Sequence, residues 1–116
     1  MAHMMNDANG RSIPDGLRPK PSTSYIISAT LTSSVQTLAM PTLVYNENSQ
    51  GMIRLSASDQ GVLYAIGPAG GAYTGITDMT LLPPNCTERI KVHATDTKIY
   101  VLQFGVGGKF QACTLD

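Results

Sequence analysis

The side chains that could do acid–base, nucleophilic or metal chemistry are few, and their spacing matches no familiar constellation. Past the opening residues there is one histidine, His93. A single imidazole makes no metal site without other ligands at ligand spacing. His93 also lies in the alternating stretch 88–94, in phase with Arg89 and Lys91, which marks it as an outward strand residue. The carboxylates Glu47, Asp59, Asp78, Glu88 and Asp96 all fall in or beside turns and strand ends, where acidic side chains commonly hold the backbone. Glycoside hydrolysis needs two carboxyls at a set separation, and nothing in the sequence selects such a pair. Cys86 and Cys113 match no zinc or redox spacing. Two free thiols are expected of a chain without a recognisable secretion signal, with a disulfide between them as the alternative.

Three further motifs dissolve on inspection. Gly105-Val106-Gly107-Gly108-Lys109-Phe110 has the glycines of a phosphate loop but puts Phe110 where a hydroxyl is needed and leads into a strand. Gly67-Pro68-Ala69-Gly70-Gly71 lacks the strand–loop–helix setting of a nucleotide site. Asn85-Cys86-Thr87 fits a glycosylation acceptor only in a secreted protein. Tyr45, Tyr64, Tyr73 and Tyr100 could present a sugar-binding face, and Tyr73, in a Gly-rich loop, is the candidate ligand-facing residue. The competing reading is that Tyr simply suits a half-buried sheet. No cofactor is implied.

The elements that must position these residues are strands. From Ser24 onward apolar residues recur with period two, interrupted by turn residues. Tyr25, Ile27, Ala29 and Leu31 share one face, Val35–Met40 runs to a stop at Pro41, and Leu43–Asn46 reads as a further strand. Gly51–Ala57 sets Ile53, Leu55 and Ala57 against Met52, Arg54 and Ser56. Asp59-Gln60-Gly61 turns the chain into Val62–Gly67. The Gly-rich stretch 68–78 is a loop, and Thr80–Leu82 ends at Pro83-Pro84. Ile90 and Val92 alternate with Arg89, Lys91 and His93, and Asp96-Thr97 makes a turn. Lys98–Phe104 is the clearest strand. Gly105–Gly108 predicts a hairpin turn into a last strand, Lys109–Leu115. Eight to nine short strands without an amphipathic helix give an all-β fold, a single β-sandwich or jelly-roll-like domain over residues 23–116.

Residues 1–22 differ in kind. Pro14, Pro19 and Pro21 with Gly10 and Gly16 bar a helix or an inner strand, which predicts an extended N-terminal arm. Met1–Met4 reads as a cloning scar or a Met-rich start, so His3 is set aside. Ile13 and Leu17 could anchor the arm on another surface, with Arg18 and Lys20 meeting acidic groups there.

Composition narrows the function. The chain has 116 residues, enough for one domain with a thin core. Charged residues are 14% and the formal net charge is zero, which suits a surface partly covered by neighbours. The linear sequence holds no Lys/Arg cluster of the kind that neutralises phosphates, so no nucleic-acid partner is expected. No apolar run reaches membrane-spanning length, so no membrane partner is expected. The sequence argues for a binding or structural protein rather than an enzyme.

The C-terminal half adds a resemblance. It runs Leu82-Pro83-Pro84-Asn85-Cys86-Thr87-Glu88, then Lys98-Ile99-Tyr100-Val101-Leu102-Gln103, then the Gly-rich turn and a final strand, preceded by Val62–Gly67. Over roughly residues 60 to 116 this resembles small all-β structural proteins of tailed bacteriophages. The resemblance implies a virion protein assembled in the host cytoplasm, first a capsid decoration (cement) protein, with a tail, neck or glycan-binding module as the alternative. Its implied partners are the major capsid protein and further copies of itself, a trimer ahead of a dimer. It transfers no catalytic residue.

Overall fold

The computed structural model describes residues 4–6, 12–14, 19 and 21–115, with side chains for 19 and 21–115. β1 (Met4–Asn6) and β2 (Ser12–Pro14) pair with each other, antiparallel, in a two-stranded sheet of their own, Met5 opposite Ile13. The N-terminal segment expected to be extended throughout thus contains a small hairpin, with Pro14 at its end, where a missing N–H costs the ladder little.

The rest is a β-sandwich. Its strands are β3 (Ile26–Thr30), β4 (Gln36–Ala39), β5 (Gln50–Ala57), β6 (Val62–Gly67), β7 (Thr80–Leu82), β8 (Thr87–His93), β9 (Lys98–Gln103) and β10 (Lys109–Thr114). The first sheet has the order β3-β10-β5-β8 and the second β4-β9-β6-β7. Every ladder is antiparallel. Pro19 continues the first sheet through a bridge to Leu115.

Alternation builds the core. Ile53, Leu55, Val92, Phe110 and Ala112 from the first sheet meet Val62, Tyr64, Leu82, Ile99 and Val101 from the second in one buried cluster. Most are 2% exposed or less, and each large apolar side chain removed this fully from water stabilises by about 1.5–3 kcal/mol. Thr114, the buried polar residue of this layer, donates its hydroxyl to the Thr42 carbonyl at 2.7 Å.

Two sequence expectations change. Leu43–Asn46 forms no strand. It is bonded instead at separate points, Thr42 N–H to the Ser24 carbonyl and Asn46 N–H to the Gln50 carbonyl, while Leu43 and Tyr45 pack on the core and close against Gly51. The Gly105–Gly108 turn joins no hairpin. β9 belongs to the second sheet and β10 to the first, so the turn carries the chain across the sandwich. Gly107 and Gly108 supply the left-handed backbone, at φ 74° and 102°. At Gly108 a Cβ would come within 2.9 Å of the Gln60 Cβ.

The two outer faces are built differently. In the second sheet Leu63, Ala65, Leu81, Tyr100 and Leu102 point away from the core and form a second apolar layer with Val35, Tyr73 and Met79. β9 is therefore buried on both sides, which is why both of its alternating sets are apolar. Loop 68–79 folds back over this layer. Tyr100 Oη donates to the Pro68 carbonyl at 2.6 Å and accepts from Gly71 N–H at 3.0 Å.

Leu55 is fully buried between the sheets. Leu55→Ala should lower unfolding stability by about 2–5 kcal/mol, read as a lower denaturant midpoint with an unchanged slope.

Candidate interaction face

Register decides what the outer face of the first sheet carries. Ile53 and Leu55 point inward, so Met52, Arg54 and Ser56 point outward. The same parity turns Thr87, Arg89, Lys91 and His93 of β8 outward, and Lys109, Gln111 and Cys113 of β10. The pairings set Arg54 opposite Arg89, Met52 opposite Lys91 and Ser56 opposite both Thr87 and Gln111. Ser28 and Thr30 complete the face on β3, Thr30 opposite Lys109. Arg89, Lys91, His93 and Lys109 are exposed and Arg54 is half-buried.

The face thus gathers four of the chain's eight lysines and arginines and, among the described residues, no Asp or Glu at any outward strand position. Glu88, the one acid within these strands, has the opposite parity: it sits across from Leu55 and faces the core. Arg54 and Arg89 stand directly opposite, where like charges repel. The Arg54 Nε is buried and has no hydrogen-bond partner among the described residues. Such an atom costs stability until an acceptor reaches the guanidinium.

Three of the carboxylates are occupied elsewhere. Tyr64 Oη donates to Glu88 Oε1 at 3.0 Å, tying the two sheets together. Burial pushes the Tyr64 phenol up to about 12, helped by its hydrogen bond to Glu88 and by that group's negative charge. Asp78 accepts from Thr74 N–H, Gly75 N–H and the Thr74 hydroxyl at 2.9–3.1 Å. The Gly75 N–H above all, with the Thr74 donors, holds its carboxyl below the usual range against the opposing effect of desolvation. Asp96 accepts from His93 N–H at 2.9 Å. Among the described residues no three His, Cys, Asp or Glu side chains come together to hold a metal ion.

His93 is exposed and outward, as its strand phase predicted, with Nδ1 accepting from Thr95 N–H. Tyr73 is half-buried, and its ring packs on Tyr100, centroids 4.9 Å apart. Cys86 packs against the core between the sheets and Cys113 faces the opposite side of its own sheet, so the first sheet separates them and no disulfide joins them. Leu17, Arg18, Lys20 and the Ile13 side chain lie outside the described residues. The sequence reading missed the cationic face. Its signal was present in the strands already drawn: every cation of 54, 89, 91 and 109 falls on the polar phase of an alternating run.

Compared with protein-family models, with curated proteins and with solved structures, the chain matches none.

Two titrations follow. Raised above the ordinary 10.0, the Tyr64 phenol contributes stability that is complete below that pH and is lost as pH climbs toward 12. Glu88→Gln should move its ionisation midpoint to lower pH in an absorbance titration, though not to the ordinary value, since burial is the larger cause. With its pKa depressed, Asp78 contributes stability that is present above the ordinary carboxyl range near ~4 and is lost as pH falls through its lowered folded value. Asp78→Asn should remove that acid dependence and speed hydrogen exchange at the Thr74 and Gly75 amides.

Proposed function

We propose that this protein is a capsid decoration (cement) protein of a tailed bacteriophage, which binds the outer capsid and stabilises it by subunit contacts. It acts by adhesion rather than by turnover. The observation that carries this reading is the separation of charge: a chain of zero net charge exposes one sheet face whose ionic groups, among the described residues, are all cations. A neutral chain gains nothing in solubility from such an arrangement, whereas a contact surface gains orientation and partner choice from it. The C-terminal resemblance to small phage structural proteins supports the same reading. So does the scarcity of charge elsewhere, together with the exposed apolar side chains Val44, Ile76, Phe104 and Val106, which suit contacts with further copies. Symmetric repetition on a capsid multiplies a modest interface many times. The major capsid protein is the partner, a homo-oligomer (a trimer first) is the attached form, and the arm adds contacts through Ile13, Leu17, Arg18 and Lys20.

Electron microscopy of purified virions, labelled with an antibody against this chain, tests the reading. Label should cover the capsid exterior at regular spacing, and protein lacking residues 1–22 should fold but fail to reattach to stripped capsids. Label confined to the tail or neck would overturn the decoration role, and unlabelled virions would overturn the virion role itself.

A further inference from the structure

We infer that the outer face of the first sheet, built on Arg54, Arg89, Lys91 and Lys109, is a docking surface for an acidic protein surface. The inference deepens the reading above, on which it rests, by naming where the partner sits and what chemistry it brings. Three observations carry it. The face is one-signed: the strands that display its cations place no carboxylate beside them, and turn their single acid, Glu88, into the core against Tyr64. It is under stress as it stands, because Arg54 and Arg89 are directly opposed and the Arg54 Nε is buried without an acceptor among the described residues. Finally, the cations are interleaved with Ser28, Thr30, Ser56, Thr87 and Gln111, short neutral groups that can donate or accept at close range.

An acidic side chain entering between Arg54 and Arg89 would relieve the repulsion. Guanidinium groups bind carboxylates through two parallel N–H bonds, stronger and more directional than an ammonium contact. Lys91, one position along from Arg89 on the same face, and Lys109, two strands away, then serve second and third carboxylates. A protein surface fits better than a nucleic acid. Binding single strands relies on aromatic side chains for stacking, and this face carries none. Reading a duplex needs an element that enters a groove, whereas this is the broad face of a sheet.

The test is binding of poly-L-glutamate to the full chain at low salt, followed by amide chemical shifts. Shifts should map to β5, β8 and the start of β10. The triple variant Arg89→Gln, Lys91→Gln, Lys109→Gln changes only exposed side chains, so its fold should survive, as a superimposable spectrum elsewhere would show. Its affinity should fall at least about tenfold, from three lost exposed charge pairs. Lys98→Gln, on the second sheet, should leave binding unchanged. Shifts spread over the second sheet, or equal binding by the triple variant, would overturn the proposal. So would tenfold tighter binding of duplex DNA at matched charge, which would assign the face to nucleic acid. The two readings fail separately. Labelled capsids that accept the triple variant as well as the parent refute this face alone. Polyglutamate mapping to the face of a protein absent from virions refutes the decoration role alone.

Discussion

The dry layer between the two sheets is the constraint on which everything else turns. Ile53 and Leu55, Phe110 and Ala112, and Val92 close one side of it; Val62, Ile99 and Val101 close the other. Side chains alternate along a strand, so burying one set commits the other to the opposite face, and a slip of one residue would exchange the two. Arg54 points outward because Ile53 and Leu55 cannot. Arg89, Lys91 and His93 point outward because Ile90 and Val92 are taken into the core. The cationic face is the by-product of core register, held at fixed spacing by the energy of apolar burial.

The two sheets use their remaining faces differently. The second covers its own: Tyr100 and Leu102 project into an apolar layer that loop 68–79 closes, with the Tyr100 hydroxyl bonded to both Pro68 and Gly71. Close packing explains the glycine there, since a Cβ at Gly71 would approach Tyr73 to 2.8 Å. The first sheet has a polar outer face along its β5–β8 side. The outer face of the second sheet thus carries a further apolar layer, whereas that of the first exposes Arg89, Lys91, His93 and Lys109.

Edge protection follows the same economy of groups. β7 has three residues and runs into Pro83-Pro84, and β4 has four and ends shortly before Pro41. β8 is a seven-residue edge and would invite pairing with another chain. Its inward acid, Glu88, accepts from Tyr64 across the sandwich, and its outward Arg89 and Lys91 would meet like charges in a self-paired strand. These features disfavour self-pairing along that edge.

The sequence by itself determined the fold class, nearly every strand and most turns. Alternation in 51–57, 88–94 and 98–104 reports burial directly, and Pro and Gly mark the breaks. It also placed His93 on the surface. It could not decide which strands are neighbours. β10, last in the chain, lies between β3 and β5, and the Gly105–Gly108 turn crosses between sheets instead of closing a hairpin. Local glycine chemistry fixes a turn's backbone but not the sheet to which each arm belongs. Nor could it show that Leu43–Asn46 packs without a ladder, or that Tyr73 lies against Tyr100. The cationic face was beyond it for the same reason. Its four cations are scattered from position 54 to 109, and only strand pairing within the first sheet brings them to one face.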